Sequence, residues 1–105
     1  MKSIRGAIAV VKNNEESIMS SSKKLINEIL INNAITENDI EFVIFTVTSD
    51  ITEAFPAKAF RELGMTSIAA IDTLAPNINS DLSGCIRILI YLNKDLEEIN
   101  HVYLD

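Results

Sequence analysis

Cys85-Ile86-Arg87-Ile88-Leu89-Ile90-Tyr91-Leu92 decides the fold. Its eight residues are β-branched, aromatic or apolar apart from one arginine, and their alternation puts Cys85, Arg87, Leu89 and Tyr91 on one face and Ile86, Ile88, Ile90 and Leu92 on the other. It is the clearest strand of the chain. The first face carries an arginine, whose guanidinium needs a partner when it leaves water.

Working outward, Ile4 to Val11 is a second β-rich run, interrupted by Arg5 and Gly6, and it ends at Lys12-Asn13-Asn14, where the asparagines suit a helix N-cap. From Glu15 the apolar residues Ile18, Met19, Leu25, Ile26, Ile29 and Leu30 recur at helical spacing and predict a long helix to Asn32-Asn33. Thr36 to Asp39 reads as a capped turn, and Phe42 to Val47 as a central strand covered on both faces. Pro56 and Gly64 bracket a short helix, Ala57 to Leu63. Ser67 to Ile71 reads as a strand, Thr73 to Gly84 as a loop long enough to suspect function, Asp95 to Ile99 as a helical turn and His101 to Leu104 as a last strand.

The order β-α-β-α-β-β-β describes an α/β sandwich, one mixed sheet with helices on one face, in a single domain of 105 residues. The opposite face then needs a cover that neighbouring subunits can supply. A chain that is 48% hydrophobic and this small is expected to oligomerise.

A formal net charge of −6 and the lack of a basic stripe set aside nucleic acid and anionic membranes as partners. The N-terminal apolar run is too short for a leader or a span, so a cytoplasmic protein is expected. One cysteine and one histidine leave no disulfide and no set of metal ligands. All three arginines, Arg5, Arg61 and Arg87, interrupt apolar segments, which points to a small anionic ligand held by guanidinium groups.

Four segments, Ile4-Arg5-Gly6-Ala7, Phe55-Pro56-Ala57-Lys58-Ala59 with Arg61-Glu62-Leu63, Cys85-Ile86-Arg87, and His101-Val102-Tyr103-Leu104, stand in the order and spacing of the AroH-type monofunctional chorismate mutases, which this chain resembles over nearly its whole length. The resemblance implies a pseudo-barrel homotrimer with active sites between subunits, and the Claisen rearrangement of chorismate to prephenate in aromatic amino-acid biosynthesis. It assigns Arg5 and Tyr103 to a substrate carboxylate, Arg87 to the ether oxygen, and Phe55, Ala57, Lys58 and Arg61 to the wall given by the neighbour. Asp72 and Thr73 match positions lining the same pocket. Such a pericyclic reaction needs no nucleophile, metal or cofactor; it needs a compact substrate conformer and a donor at the oxygen that gains charge.

The sequence departs from the family in two places. The family's glutamate, which meets the ring hydroxyl, falls among Ala75, Pro76 and Asn77, none of them acidic, with Asp72 the nearest carboxylate. The sequence also stops at Asp105, short of the family's arginine-bearing tail. Both imply reduced turnover, and the alternatives are a non-catalytic trimer binding a small carboxylate or, without a matching motif, an imine-hydrolysing enzyme of the Rid type.

Overall fold

In the computed structural model, which describes residues 1–105, the chain runs β1 (Ser3–Ile8), α1 (Glu15–Asn33), a 3-10 turn (Glu37–Asp39), β2 (Ile40–Val47), α2 (Lys58–Glu62), β3 (Ala69–Leu74), β4 (Ile86–Leu92) and β5 (Val102–Leu104). The strands form one mixed sheet in the order β3-β2-β4-β1-β5. β4 lies antiparallel between β1 and β2, while β3 runs parallel to β2 and β5 parallel to β1.

Capping fixes α1 at both ends. Asn14 Oδ1 accepts from Ser17 N at 2.7 Å, Glu15 and Glu16 occupy the first turn, and Ala34 turns into the left-handed region at φ 51°. The buried face of the helix, including Ile18, Leu25, Ile26 and Ile29, lies against Ile4 and Ile8 of β1 and Ile86, Ile88 and Ile90 of β4. Each such side chain contributes roughly 1.5–3 kcal/mol when it leaves water. Gly6 sets how closely α1 approaches: a Cβ there would meet Ile29 Cδ1 at 2.7 Å and the Val102 carbonyl at 3.1 Å. Phe45 and Phe60 extend this core to α2, their ring centroids 6.0 Å apart.

The second sheet face has no helix over it. It carries Ser3, Arg5 and Ala7 of β1, Arg87, Leu89 and Tyr91 of β4, Phe42, Ile44 and Thr46 of β2, Ile71 and Thr73 of β3, and Tyr103 of β5. Within the chain, Ile71 is 59% exposed and Tyr103 63%. β2 is therefore covered on one face only, contrary to the expectation from its unbroken apolar run.

Three other boundaries differ from the sequence reading. β1 stops at Ile8 because Val10 takes φ 59° and Val11 N turns to the Gly84 carbonyl at 2.9 Å. β3 begins at Ala69 rather than Ser67, since Ser67 N is held by the Glu37 carboxylate, and it continues to Leu74, so Asp72 and Thr73 are ladder residues and not loop residues. Asp95 to Ile99 forms no helical turn. The N-terminal ammonium binds Asp95 Oδ1 at 3.1 Å and the Leu96 carbonyl at 2.9 Å, and Leu96 N donates to Met1 O, so this segment's polar groups serve the start of the chain. No helix is long and apolar enough to cross a membrane.

Candidate active site

Ala7 is the reference point of the uncovered face. On β4 it pairs with Arg87, and on β5 with Tyr103. Arg5 projects from the same face one pleat away on β1, and its backbone N–H donates to His101 Nδ1 at 2.9 Å, which fixes the approach of β5. Sheet register thus brings Arg5, Arg87 and Tyr103 together without a side-chain contact between them.

Their surroundings differ from what the sequence suggests. Arg5 and Arg61 are exposed, and neither guanidinium has a hydrogen bond or an ion pair within the chain. Arg87 is partly buried and donates from Nη2 to Asp81 Oδ2 at 3.1 Å. The expectation of three arginines withdrawn from water is not met in a single chain. The Tyr103 ring is exposed as well. Cys85 is buried beside this cluster, and burial pushes its thiol up from the ordinary range, which suits a small apolar residue rather than a nucleophile.

The remaining candidates gather at the β3 edge and around α2. Phe55, Ala57, Lys58, Arg61 and Asp72 line a cleft of about 430 Å³. An adjoining cleft of about 470 Å³ shares Phe55, Lys58 and Asp72, adds Thr73, and carries Glu15 and Glu53. Three carboxylates against one lysine make the larger cleft a poor host for a dianion; the smaller one, with a lysine and an arginine against one aspartate, is the better anion wall. Lys58 is shared between Glu62 at 3.7 Å and Glu15 at 3.9 Å, both loose pairs. Phe55 is 71% exposed, while Phe60, five residues on, is core.

Asp72 faces the helices, in the row of Phe45, and not the uncovered face. Its Oδ1 accepts from Ala57 N at 3.0 Å, fixing the start of α2. Partial burial raises its carboxyl above the usual range and outweighs that hydrogen bond. Thr73 points the other way, and its hydroxyl donates to the Phe45 carbonyl at 3.1 Å. Asp72 and Arg87 therefore lie on opposite sides of the sheet.

Within one chain the two groups do not meet. β3 is two strand steps from β4 and four from β5, or roughly 10 to 19 Å at ordinary strand spacing. The carboxylate that does reach Arg87 is Asp81, which the sequence reading did not single out; its signal was an acid six residues before Arg87 in a loop long enough to carry function.

The whole chain, residues 1–105, matches the family model for chorismate mutase type I. It is 36% identical over 107 residues to chorismate mutase AroH of Thermus thermophilus, covering 99% of this chain and 88% of that one. Against chorismate mutase AroH of Bacillus subtilis (strain 168) the identity is 31% over 108 residues, covering 100% and 85%. The solved structure of a chorismate mutase from Clostridium thermocellum superposes with a TM-score of 0.94 at 39% identity, over 99% of this chain and 95% of that one.

Proposed function

The chain belongs to the type I chorismate mutase family, and from that premise we propose that it converts chorismate to prephenate at a site completed by a second copy of itself in a homotrimer. The observation that carries this reading is the meeting of Arg5, Arg87 and Tyr103 around Ala7 on a face that no helix covers. The cluster has cations, a hydroxyl and an open side, but no wall. The wall residues Phe55, Ala57, Lys58 and Arg61 lie at the far edge of the same sheet. A neighbour presenting its α2 edge to this face closes the pocket and covers the apolar residues Ile71, Leu89 and Tyr91.

The chemistry follows from the residue types. One carbon–oxygen bond breaks as one carbon–carbon bond forms, with no proton transferred, so general acids and bases are not required. Arg5 and Tyr103 take one substrate carboxylate, Arg61 and Lys58 of the neighbour take the other, and Phe55 with Ala57 shapes the apolar wall. Arg87 donates to the ether oxygen as it gains negative charge. A donor that strengthens only along the reaction coordinate lowers the barrier rather than the ground state, by about 3 to 4 kcal/mol in comparable sites. Thr73 and Asp72 support the wall from β3. We place the enzyme in the cytoplasm, where Cys85 stays a thiol.

The test is chorismate consumption and prephenate formation by purified protein, compared with Arg87→Ala and Arg87→Lys. The reading expects turnover in the wild type, its loss by about two to three orders of magnitude in Arg87→Ala, and only partial recovery in Arg87→Lys, because an ammonium lacks the planar fork. Equal turnover in all three proteins would refute it.

A further inference from the structure

Arg87 is engaged on one side only. Its Nη2 meets Asp81 Oδ2 at 3.1 Å, and neither Nε nor Nη1 has a partner within the chain. The other oxygen of the same carboxylate is spoken for as well, since Leu82 N donates to Asp81 Oδ1 at 2.8 Å. Asp81 is thus a two-ended clamp, with one oxygen fixed to its own loop and the other to the guanidinium.

The loop that carries Asp81 is exposed from Pro76 to Ser83 and is anchored at both ends. Ala75 N donates to the Val47 carbonyl at 2.9 Å at one end, and Gly84 N donates to Asp50 Oδ2 at 2.8 Å at the other. Thr48 and Cys85 then close the base, with Thr48 N on the Cys85 carbonyl and Cys85 N on Thr48 Oγ1 at 3.1 and 3.0 Å. Immediately before Asp81, Ser80 is held at φ 71°, a conformation unfavourable for a residue with a side chain. The Leu82 amide and the Arg87 guanidinium hold the Asp81 carboxyl below its ordinary range, which favours its charged form.

On the reading above that Arg87 serves the reacting oxygen, we propose that Asp81 is the positioning residue of this site: it pins one edge of the Arg87 guanidinium so that the free edge faces the substrate. The alternative sense of the same contact, a carboxylate occupying the place of the substrate, would call for engagement of the edge the substrate needs. Here one nitrogen is used and two remain. An arginine side chain has several free torsions, and holding it before the substrate arrives removes an ordering cost from the reaction step.

Two measurements decide this. The first needs no substrate: with only three arginines in the chain, the guanidinium nitrogen signals of Arg87 are resolvable by NMR. Restricted rotation, giving separate Nη signals, is expected in the wild type and averaged signals in Asp81→Ala; identical spectra overturn the proposal. The second is steady-state kinetics. Asp81→Ala should lose about tenfold or more in kcat with KM changed by about twofold or less, and Asp81→Glu should recover part of the loss. Retention of kcat, or a rise in kcat/KM as expected for removal of a competing anion, overturns it. Absence of turnover in the wild type would refute the proposed function instead, and the NMR comparison would still decide whether Asp81 pins Arg87.

Discussion

Arg87 and Tyr103 flank the same residue, Ala7, from β4 and β5. The consecutive strands β4 and β5 are thereby set on either side of β1, the first strand of the chain, with Arg5 one pleat away on the same face. A methyl group between them leaves room that a larger residue at position 7 would fill. Sheet register, and not any direct bond between these side chains, holds Arg5, Arg87 and Tyr103 together.

The loop that carries Asp81 depends on Gly84. A Cβ at Gly84 would sit 2.6 Å from the Val11 carbonyl oxygen and 2.8 Å from Val11 N, at φ +60°. Gly84→Ala should therefore cost about 3 kcal/mol or more by urea denaturation. Gly64, also left-handed at φ +81° but with nothing within 4 Å of an added Cβ, gives the control; Gly64→Ala should cost about 1 kcal/mol. Equal losses at both positions would show that crowding at Val11 is not what fixes the loop.

Asp72 makes a pH-dependent contribution whose sign follows from its raised carboxyl. A folded-state value above the unfolded one means that the native protein binds the proton more readily, so this contribution is present in acid and is lost as pH rises through the folded value. At neutral pH the half-buried charge opposes folding. Asp72→Asn keeps an oxygen for Ala57 N and removes that charge, so its urea midpoint should exceed that of the wild type at about pH 7, with the gap closing below the ordinary aspartate value of about 3.9. A variant less stable than wild type at neutral pH would contradict this.

The loop after β3 lacks the acid that the family resemblance places there. In the proposed site, binding of a dicarboxylate analogue rests on arginines, which are present, whereas the glutamate would act on charge developing in the transition state. Compared with a family member that has the glutamate, this protein should bind the analogue comparably and turn over more slowly by about two to three orders of magnitude. Pro76 and Asn77 are exposed, and glutamate at one of them should raise kcat. Ala75 is buried, with its N–H on Val47 O, so Ala75→Glu should lose stability instead. Unmodified turnover matching the glutamate-bearing enzyme would overturn the argument.

Much of this was readable from residues. The alternation at 85–92 put Arg87 opposite the aliphatic face, the asparagines before Glu15 announced α1, and Pro56 and Gly64 bracketed α2. What was not readable depends on distant partners. β3 slid to Ala69–Leu74 because its ladder with β2 extends to Val47, and Asp72 moved with it to the helix side. The helical turn at 95–99 lost to the N-terminal ammonium, and the Asp81 contact with Arg87 follows from a loop path without periodicity. The arginines were read as buried because their neighbours in sequence are apolar, but alternation puts Arg5 on a face that one chain leaves open.

The proposal that each site is shared between subunits is tested most directly by mixing. Arg87→Ala damages the sheet-face half and Arg61→Ala the wall half; each protein alone should have little activity. Unfolded together in equal amounts and refolded, they should regain activity in about one site in four, the fraction expected when a closed ring assembles at random and each site draws its halves from different chains. Activity that stays at the level of the separate variants, with mixed assemblies shown to form, would contradict a site built across the subunit boundary.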